Sequence, residues 1–250
     1  MATKLYGTVL LKAQRIMNVL LNTSNGMTLD EISTKAVIPK PTVFKILKTL
    51  DYIGFVRKNH EGKRYSLGSR MIGYGNKALK SFDIVSISEP YLHELSKVTN
   101  ETINLGVEEN NHVTLLKKID SPQTVNLNSH VGGAMELYSS AMGKALLATK
   151  SDHELDEYFS KIELKPLTKR TITSISELRK QISQVKVAGY ALDAQENQDD
   201  VVCVGAAIQK YGKVFGAISV STPQYRLDEL LLDDLKKLII STRNQIIEII

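Results

Sequence analysis

The amino-acid sequence predicts an α+β protein built as a winged helix-turn-helix over residues 1–68, a linker helix over 69–80 and a larger domain around a mainly antiparallel sheet over 81–250. Three observations predict it. The first seventy residues run helix, helix, turn, helix, hairpin. The remainder alternates helical and strand patterns and ends in a long hairpin and a long helix. Charge is segregated: residues 1–80 carry 14 Lys+Arg against 4 Asp+Glu, and residues 81–250 carry 18 against 23. A basic first third, at +10, on a mildly acidic remainder, at −5, is the distribution of a protein with one polyanion-binding module. A lysine-rich solvated surface is the other reading of the charge alone.

Thr8 to Asn22 reads as a helix with Val9, Ala13, Ile16, Met17 and Leu20 as its core stripe, and Gly26 lies in a turn. Thr28 and Glu31 form a capping box that opens a short helix through about Ala36. Pro39 ends the connection. In KPTVFKILKTLDYIGF, residues 40–55, Val43, Ile46, Leu47 and Leu50 recur at i, i+3, i+4 and i+7, which marks one buried stripe. Pro41 suits the first turn, where its missing N–H costs nothing, and Gly54 can stop the helix. Residues 55–58, 59–62 and 63–67 read as strand, turn, strand.

In such a module the second helix of the pair enters the major groove with its N-terminal residues leading. Lys40, Pro41, Thr42, Phe44 and Lys45 would face double-stranded DNA, with Lys48 near phosphate. Lys58, Lys63 and Arg64 on the wing would lie along the backbone, where each neutralised phosphate releases counterions. An exposed polar side chain on a stable helix is the alternative at each position.

Ser69 to Lys80 is helical despite two glycines, with Met71, Ile72 and Leu79 available to pack on a partner chain or within the chain. Beyond it, helices are expected near 87–99, 139–149, 152–160, 175–187 and 225–249. Strands are expected near 102–108, 112–119, 123–129, 201–208 and 213–220. The final helix would bury Leu230, Leu231, Leu235, Leu238 and Ile239.

Several function classes are disfavoured. No apolar run is long enough to span a bilayer, and the N-terminus has no small-residue cleavage site. The one cysteine, Cys203, forbids an internal disulfide framework and fits a cytoplasmic location. The five histidines lack metal-ligand spacing, so neither metal nor cofactor is expected. Gly143-Lys144 has no glycine five residues upstream, so it is no Walker loop. A hydrolase using Ser140 and Lys144, i, i+4 neighbours on one helix face, is the enzymatic alternative; its spacing is not S-x-x-K, and no G-x-S-x-G occurs.

Two regions carry a family resemblance. The first is IPKPTVFKILKTLDYIGFVRK with KRYSLGSR downstream. The second comprises VGGAMELYSSAMGKALLA (131–148), GYALDAQE (189–196), VVCVGAAI (201–208) and FGAISVSTPQYRL (215–227). Together they resemble the IclR family of bacterial transcriptional regulators, over residues 8 to 248. The resemblance implies a DNA-binding repressor with a GAF-like effector domain, acting as a homodimer or dimer of dimers on an operator and answering to a small carboxylate, a keto or sugar acid. It further implies effector contacts at Ala141, Met142, Asp193, Cys203, Ser219 and Ser221. Residue chemistry agrees: a helix starting near Ser139 offers free N–H groups to a carboxylate, and Ser219 and Ser221 share one strand face. Ser139 or Ser140 as an N-cap, Cys203 as a small buried hydrophobe and Asp193 as a turn cap are the alternatives. The chain departs from the family pattern at Glu136 and Tyr138, where many members have proline and histidine. Glu136 is expected to face solvent or a hydroxylated part of the ligand.

Overall fold

The computed structural model describes residues 7–23, 25–59, 63–79, 83–123 and 129–250. Most of the expected turn at 59–62 and of the expected strand near 123–129 lies outside these residues, as does the expected packing of the Leu79 side chain. The chain forms two compact units, Met1–Ser81 and Phe82–Ile250. Among the described residues no helix is long and apolar enough to cross a membrane.

The first unit contains α1 (Thr8–Leu21), β1 (Met27–Thr28), α2 (Leu29–Ala36), α3 (Lys40–Tyr52), β2 (Val56–Lys58), β3 (Arg64–Leu67) and α4 (Arg70–Leu79). Ile16, Leu20, Ile32, Val43, Leu47 and Leu50 form the helical core, closed by Val56 and Tyr65. All four expected stripe residues of α3 are buried. Val9, expected in the α1 stripe, is 55 % exposed: α1 buries Ile16 and Leu20 and packs Ala13, Met17 and Val19 against the core, all beyond its first turn. The capping box forms as expected, with Thr28 Oγ1 accepting from Glu31 N and Glu31 Oε2 accepting from Thr28 N. The turn after α2 is unusual. Val37 sits in the left-handed region at φ 54°, ψ 49°, which a β-branched residue adopts only at a cost.

The wing is a three-stranded antiparallel sheet in the order β1-β3-β2. β1 was not expected; two residues are too few to show a period. Asn59 Oδ1 accepts from the N–H groups of Lys63 and Arg64 and so sets the base of the hairpin. The Phe55 and Tyr74 rings meet edge to face at 5.3 Å and join the wing to α4.

The second unit contains α5 (Asp83–Thr99), β4 (Thr102–Glu109), β5 (His112–Ile119), β6 (Ala134–Glu136), α6 (Ala141–Leu147), α7 (Asp152–Lys161), α8 (Ile175–Ala188), β7 (Ala191–Ala194), β8 (Val201–Lys210), β9 (Lys213–Pro223) and α9 (Glu229–Ile249). Its sheet runs β6-β5-β4-β9-β8-β7 with every pair antiparallel. α5 and α9 pack together on one face, and Leu92, Leu95, Leu235 and Ile239 are among their buried residues. α6 lies on the other face, in a core with Leu137, Tyr138, Leu155, Leu178 and Ala217.

The two short strands β6 and β7 were not expected. α9 starts four residues later than expected, at an Asp228 N-cap whose Oδ1 accepts from Leu231 N at 2.7 Å. Residues 224–226 form a 3-10 turn before it. Leu230 is 80 % exposed and Leu231 is half-buried, and full burial begins at Leu235.

One glycine sets the approach of α6 to the sheet. A Cβ on Gly205 would stand 2.9 Å from the Met142 nitrogen. Only glycine lets β8 lie directly beneath the first turn of α6.

Candidate effector cavity and nucleic-acid face

Strand alternation places Asn104 on β4, Cys203 on β8, and Ser219 and Ser221 on β9 on the face that meets α6. All six expected effector residues, Ala141, Met142, Asp193, Cys203, Ser219 and Ser221, line one cavity of about 50 Å³. A second cavity of about 160 Å³ shares Ser129, Met135, Asn197 and Gln198 with it. The two form an inner chamber and an adjoining vestibule.

The sequence pattern missed Asn104, the residue that organises the serines. Its Nδ2 donates to Ser219 Oγ at 3.4 Å and to Ser221 Oγ at 3.1 Å. Cys203 Sγ–H also donates to Ser221 Oγ, at 3.1 Å. With their oxygens accepting, both hydroxyls keep their protons free to donate. Opposite them, Ser140 caps α6 by accepting from Gly143 N at 3.1 Å. Among the described residues the amides of Ala141 and Met142 have no acceptor, as expected of a helix start. The walls thus present two amide and two hydroxyl donors, a set suited to a carboxylate.

Asp193 is 2 % exposed. Its Oδ1 accepts from Glu196 N at 2.7 Å and from Asn197 N at 3.3 Å, so it does cap a turn. Burial nevertheless pushes its carboxyl up to about 7, against the opposing pull of those N–H groups and of Lys144. Near neutrality it therefore alternates between an acceptor and a donor. Burial, reinforced by Asp193, also pushes the Cys203 thiol well up, so it lines the cavity as a neutral S–H.

The surroundings of Lys144 overturn the nucleophilic pairing with Ser140 that the enzymatic alternative requires. The lysine is fully buried. Its Nζ donates to Glu196 Oε1 at 2.6 Å and to Gln181 Oε1 at 3.1 Å. Ser140 is engaged elsewhere: its hydroxyl donates to the Glu136 carbonyl at 2.7 Å. The ammonium holds an ion pair and the serine caps a helix, so neither activates the other.

The departures from the family pattern are also resolved. β6 turns Met135 into the cavity and Glu136 away, to within 3.6 Å of His112. Tyr138 is buried in the core and donates its hydroxyl to the Lys165 carbonyl at 3.0 Å. Neither Glu136 nor Tyr138 touches the cavity.

The expected nucleic-acid residues lie on the outer surface of α3 and on the wing. Pro41, Phe44, Lys45 and Lys48 are exposed and Thr42 is half-buried. Lys48 Nζ stands 5.7 Å from the Phe44 ring centroid, and Lys58 Nζ stands 5.1 Å from that of Tyr65. Two expected cations are partnered within the module. Lys40 pairs with Asp30, and Arg64 reaches Glu31 at 3.5 Å and the Asn25 carbonyl at 3.3 Å. Such exposed pairs are worth only about 0–1 kcal/mol, little enough for a phosphate to replace. Lys45 has no acidic partner among the described residues.

Comparison with known proteins agrees with both halves. Residues 76–248 match the family profile described as bacterial transcriptional regulator IclR C-terminal, and residues 9–60 match the IclR helix-turn-helix domain. The chain is 32 % identical over 207 residues to the HTH-type transcriptional regulator KdgR of Escherichia coli strain K12, covering 82 % of this chain and 79 % of KdgR. It is 31 % identical over 226 residues to the DNA-binding transcriptional repressor YiaJ of the same strain, covering 88 % and 80 % of the two chains. The crystal structure of Thermotoga maritima IclR superposes with a TM-score of 0.77 at 28 % identity, covering 96 % of this chain and 98 % of that one.

Proposed function

The chain belongs to the IclR family of DNA-binding transcriptional regulators, and on that premise we propose that it is a repressor released or retained by a small keto or sugar acid. In this reading residues 1–68 bind the operator, residues 69–80 transmit, and residues 81–250 sense the ligand. A homodimer presents two α3 helices to two half-sites of a palindrome. The repressor sign follows the similarity to YiaJ, which is named a repressor.

One observation carries the ligand class: Ser219 and Ser221, both held by Asn104, line the same cavity as the Ala141 and Met142 amides. The carboxylate accepts from these four donors. Asp193 meets a keto or hydroxyl oxygen beside it, as donor or acceptor according to its protonation. An inner chamber of about 50 Å³ is small for such an acid, so binding displaces Met135 or Gln198 toward the adjoining vestibule. The ligand biases the two arrangements of the DNA-binding heads by no more than its differential affinity for them.

The deciding experiment is a thermal-shift screen of pyruvate, glyoxylate, 2-keto-3-deoxy sugar acids and aromatic acids. A keto or sugar acid is expected to raise the melting temperature, and Ser219→Ala to abolish the rise. Silence from every acid would sink the effector reading. Stabilisation by aromatic acids alone would replace the ligand class.

A further inference from the structure

We propose that a cleft on the outer side of β7 is a second binding site, for a neutral polyhydroxylated molecule of monosaccharide size. The cleft has a volume of about 250 Å³ and shares no lining residue with the effector cavity. Alternation along β7 separates the two: Asp193 faces the cavity, whereas Leu192 and Ala194, with Tyr190 just before them, line the cleft. The proposal therefore stands apart from the effector reading.

Glu196 is the chemical centre of the cleft. It is 4 % exposed. Its Oε1 is taken by Lys144, but its Oε2 has no hydrogen-bond partner among the described residues. A buried carboxylate oxygen without a donor is costly, and Glu196 is among the residues that line this cleft.

Charge and hydrogen-bonding capacity select the ligand class. The Glu196 carboxylate disfavours an anion. Lys144 on Glu196 and Lys236 on the wall disfavour a further cation, although Lys236 is itself paired with Asp233 at 2.8 Å. A hydroxyl fits, because it donates to Oε2 and accepts from a side-chain amide at the same time. Gln181 gives its Oε1 to Lys144 and keeps its Nε2 protons to donate, and Gln184, on the same helix, adds a second amide. Tyr190, Leu192 and Ala194 supply apolar surface for the C–H face of a sugar ring.

The test is titration calorimetry of the full chain with D-glucose, D-ribose and D-sorbitol, with putrescine and acetate as charged controls. Direct binding is read in place of melting, because polyols stabilise proteins generally. At least one of the three polyols is expected to bind saturably. Gln184→Ala, at an exposed position, should weaken that binding about tenfold, and Ser219→Ala should leave it unchanged. The proposal is overturned by the absence of saturable binding for all three, by binding of putrescine or acetate alone, or by polyol binding that is insensitive to Gln184→Ala. Loss of polyol binding in Ser219→Ala would likewise overturn it, by moving the sugar into the effector cavity.

Discussion

Asn104 on β4 donates from Nδ2 to Ser221 Oγ across 3.1 Å, and the two residues are 117 positions apart in the chain. The bond leaves the serine proton free for a ligand. Asn104→Ala removes the donor that orients both serines and leaves their oxygens under-satisfied. Effector affinity is expected to fall about tenfold or more, with about 1–3 kcal/mol lost from the stability of the second unit. Calorimetric titration with the stabilising acid, beside urea unfolding, checks both. Unaltered affinity in a folded variant would remove Asn104 from the site.

Asp193 makes the affinity depend on pH. Its folded value of about 7 exceeds the unfolded value of about 3.9, so the folded protein holds a proton that the unfolded chain releases between those values. The stabilisation from that proton is complete below about pH 4 and is lost as pH rises through about 7. A carboxylate ligand meets least repulsion while Asp193 is protonated. Its affinity is therefore expected to decline above about pH 7, by up to about tenfold per unit. Lys144, Glu196 and Cys203 are the other ionisable groups at this position. In Asp193→Asn, which keeps an acceptor for the Glu196 and Asn197 N–H groups, the same titration should be flat.

Lys45 projects from α3 without an acidic partner among the described residues. Lys45→Ala is expected to weaken binding to duplex DNA across sequences and to lower the slope of log affinity against log salt by about 1. Effector binding should be untouched. If filter binding over a salt series shows an unchanged slope and affinity, the docking of α3 is wrong.

Val37 occupies the left-handed region with a β-branched side chain that is 82 % exposed. Val37→Gly relieves that conformation and loses little packing. The first unit should gain about 1 kcal/mol, less the entropy that glycine surrenders on folding. The shift is read as a higher urea midpoint for the first unit. A lower midpoint would mean that the side chain contributes more than its backbone costs.

The Lys144–Glu196 pair is buried on both sides, at 0 % and 5 % side-chain exposure. Lys144→Met strands the carboxylate and is expected to cost about 3–5 kcal/mol. Adding Glu196→Gln should recover most of that loss. Equal stability of the single and double variants would show that the two charges act independently.

Much of the architecture could be read from local pattern. The α3 stripe of Val43, Ile46, Leu47 and Leu50, the Thr28–Glu31 box and the β8–β9 hairpin all repeat within a few residues and formed as expected. β1, β6 and β7 did not declare themselves: each has only two to four residues, and none is joined to its partner strand by the kind of short Asn- and Gly-containing turn that marked the equally short β2 and β3 as a hairpin. Val9 and Leu230 fit an apolar stripe, yet each lies in the first turn of its helix, ahead of the first fully buried residue, and is exposed.

The six residues expected to contact an effector came from resemblance to a family, and the structure gathers all six around one cavity. What no spacing could reveal is the set of groups that give them their chemistry. Asn104 reaches the serines only because β4 lies beside β9. Lys144 is an ion-pair partner and not a base because Glu196 arrives from a loop 52 residues away. The sequence by itself determined the α3 stripe and the Thr28–Glu31 cap, which depend on neighbours three or four residues apart, and the segregation of charge, which is composition. The tertiary structure alone decided which polar groups share a buried space, since burial and long-range pairing are what set the Asp193 carboxyl near 7 and hold the Lys144 ammonium between Glu196 and Gln181.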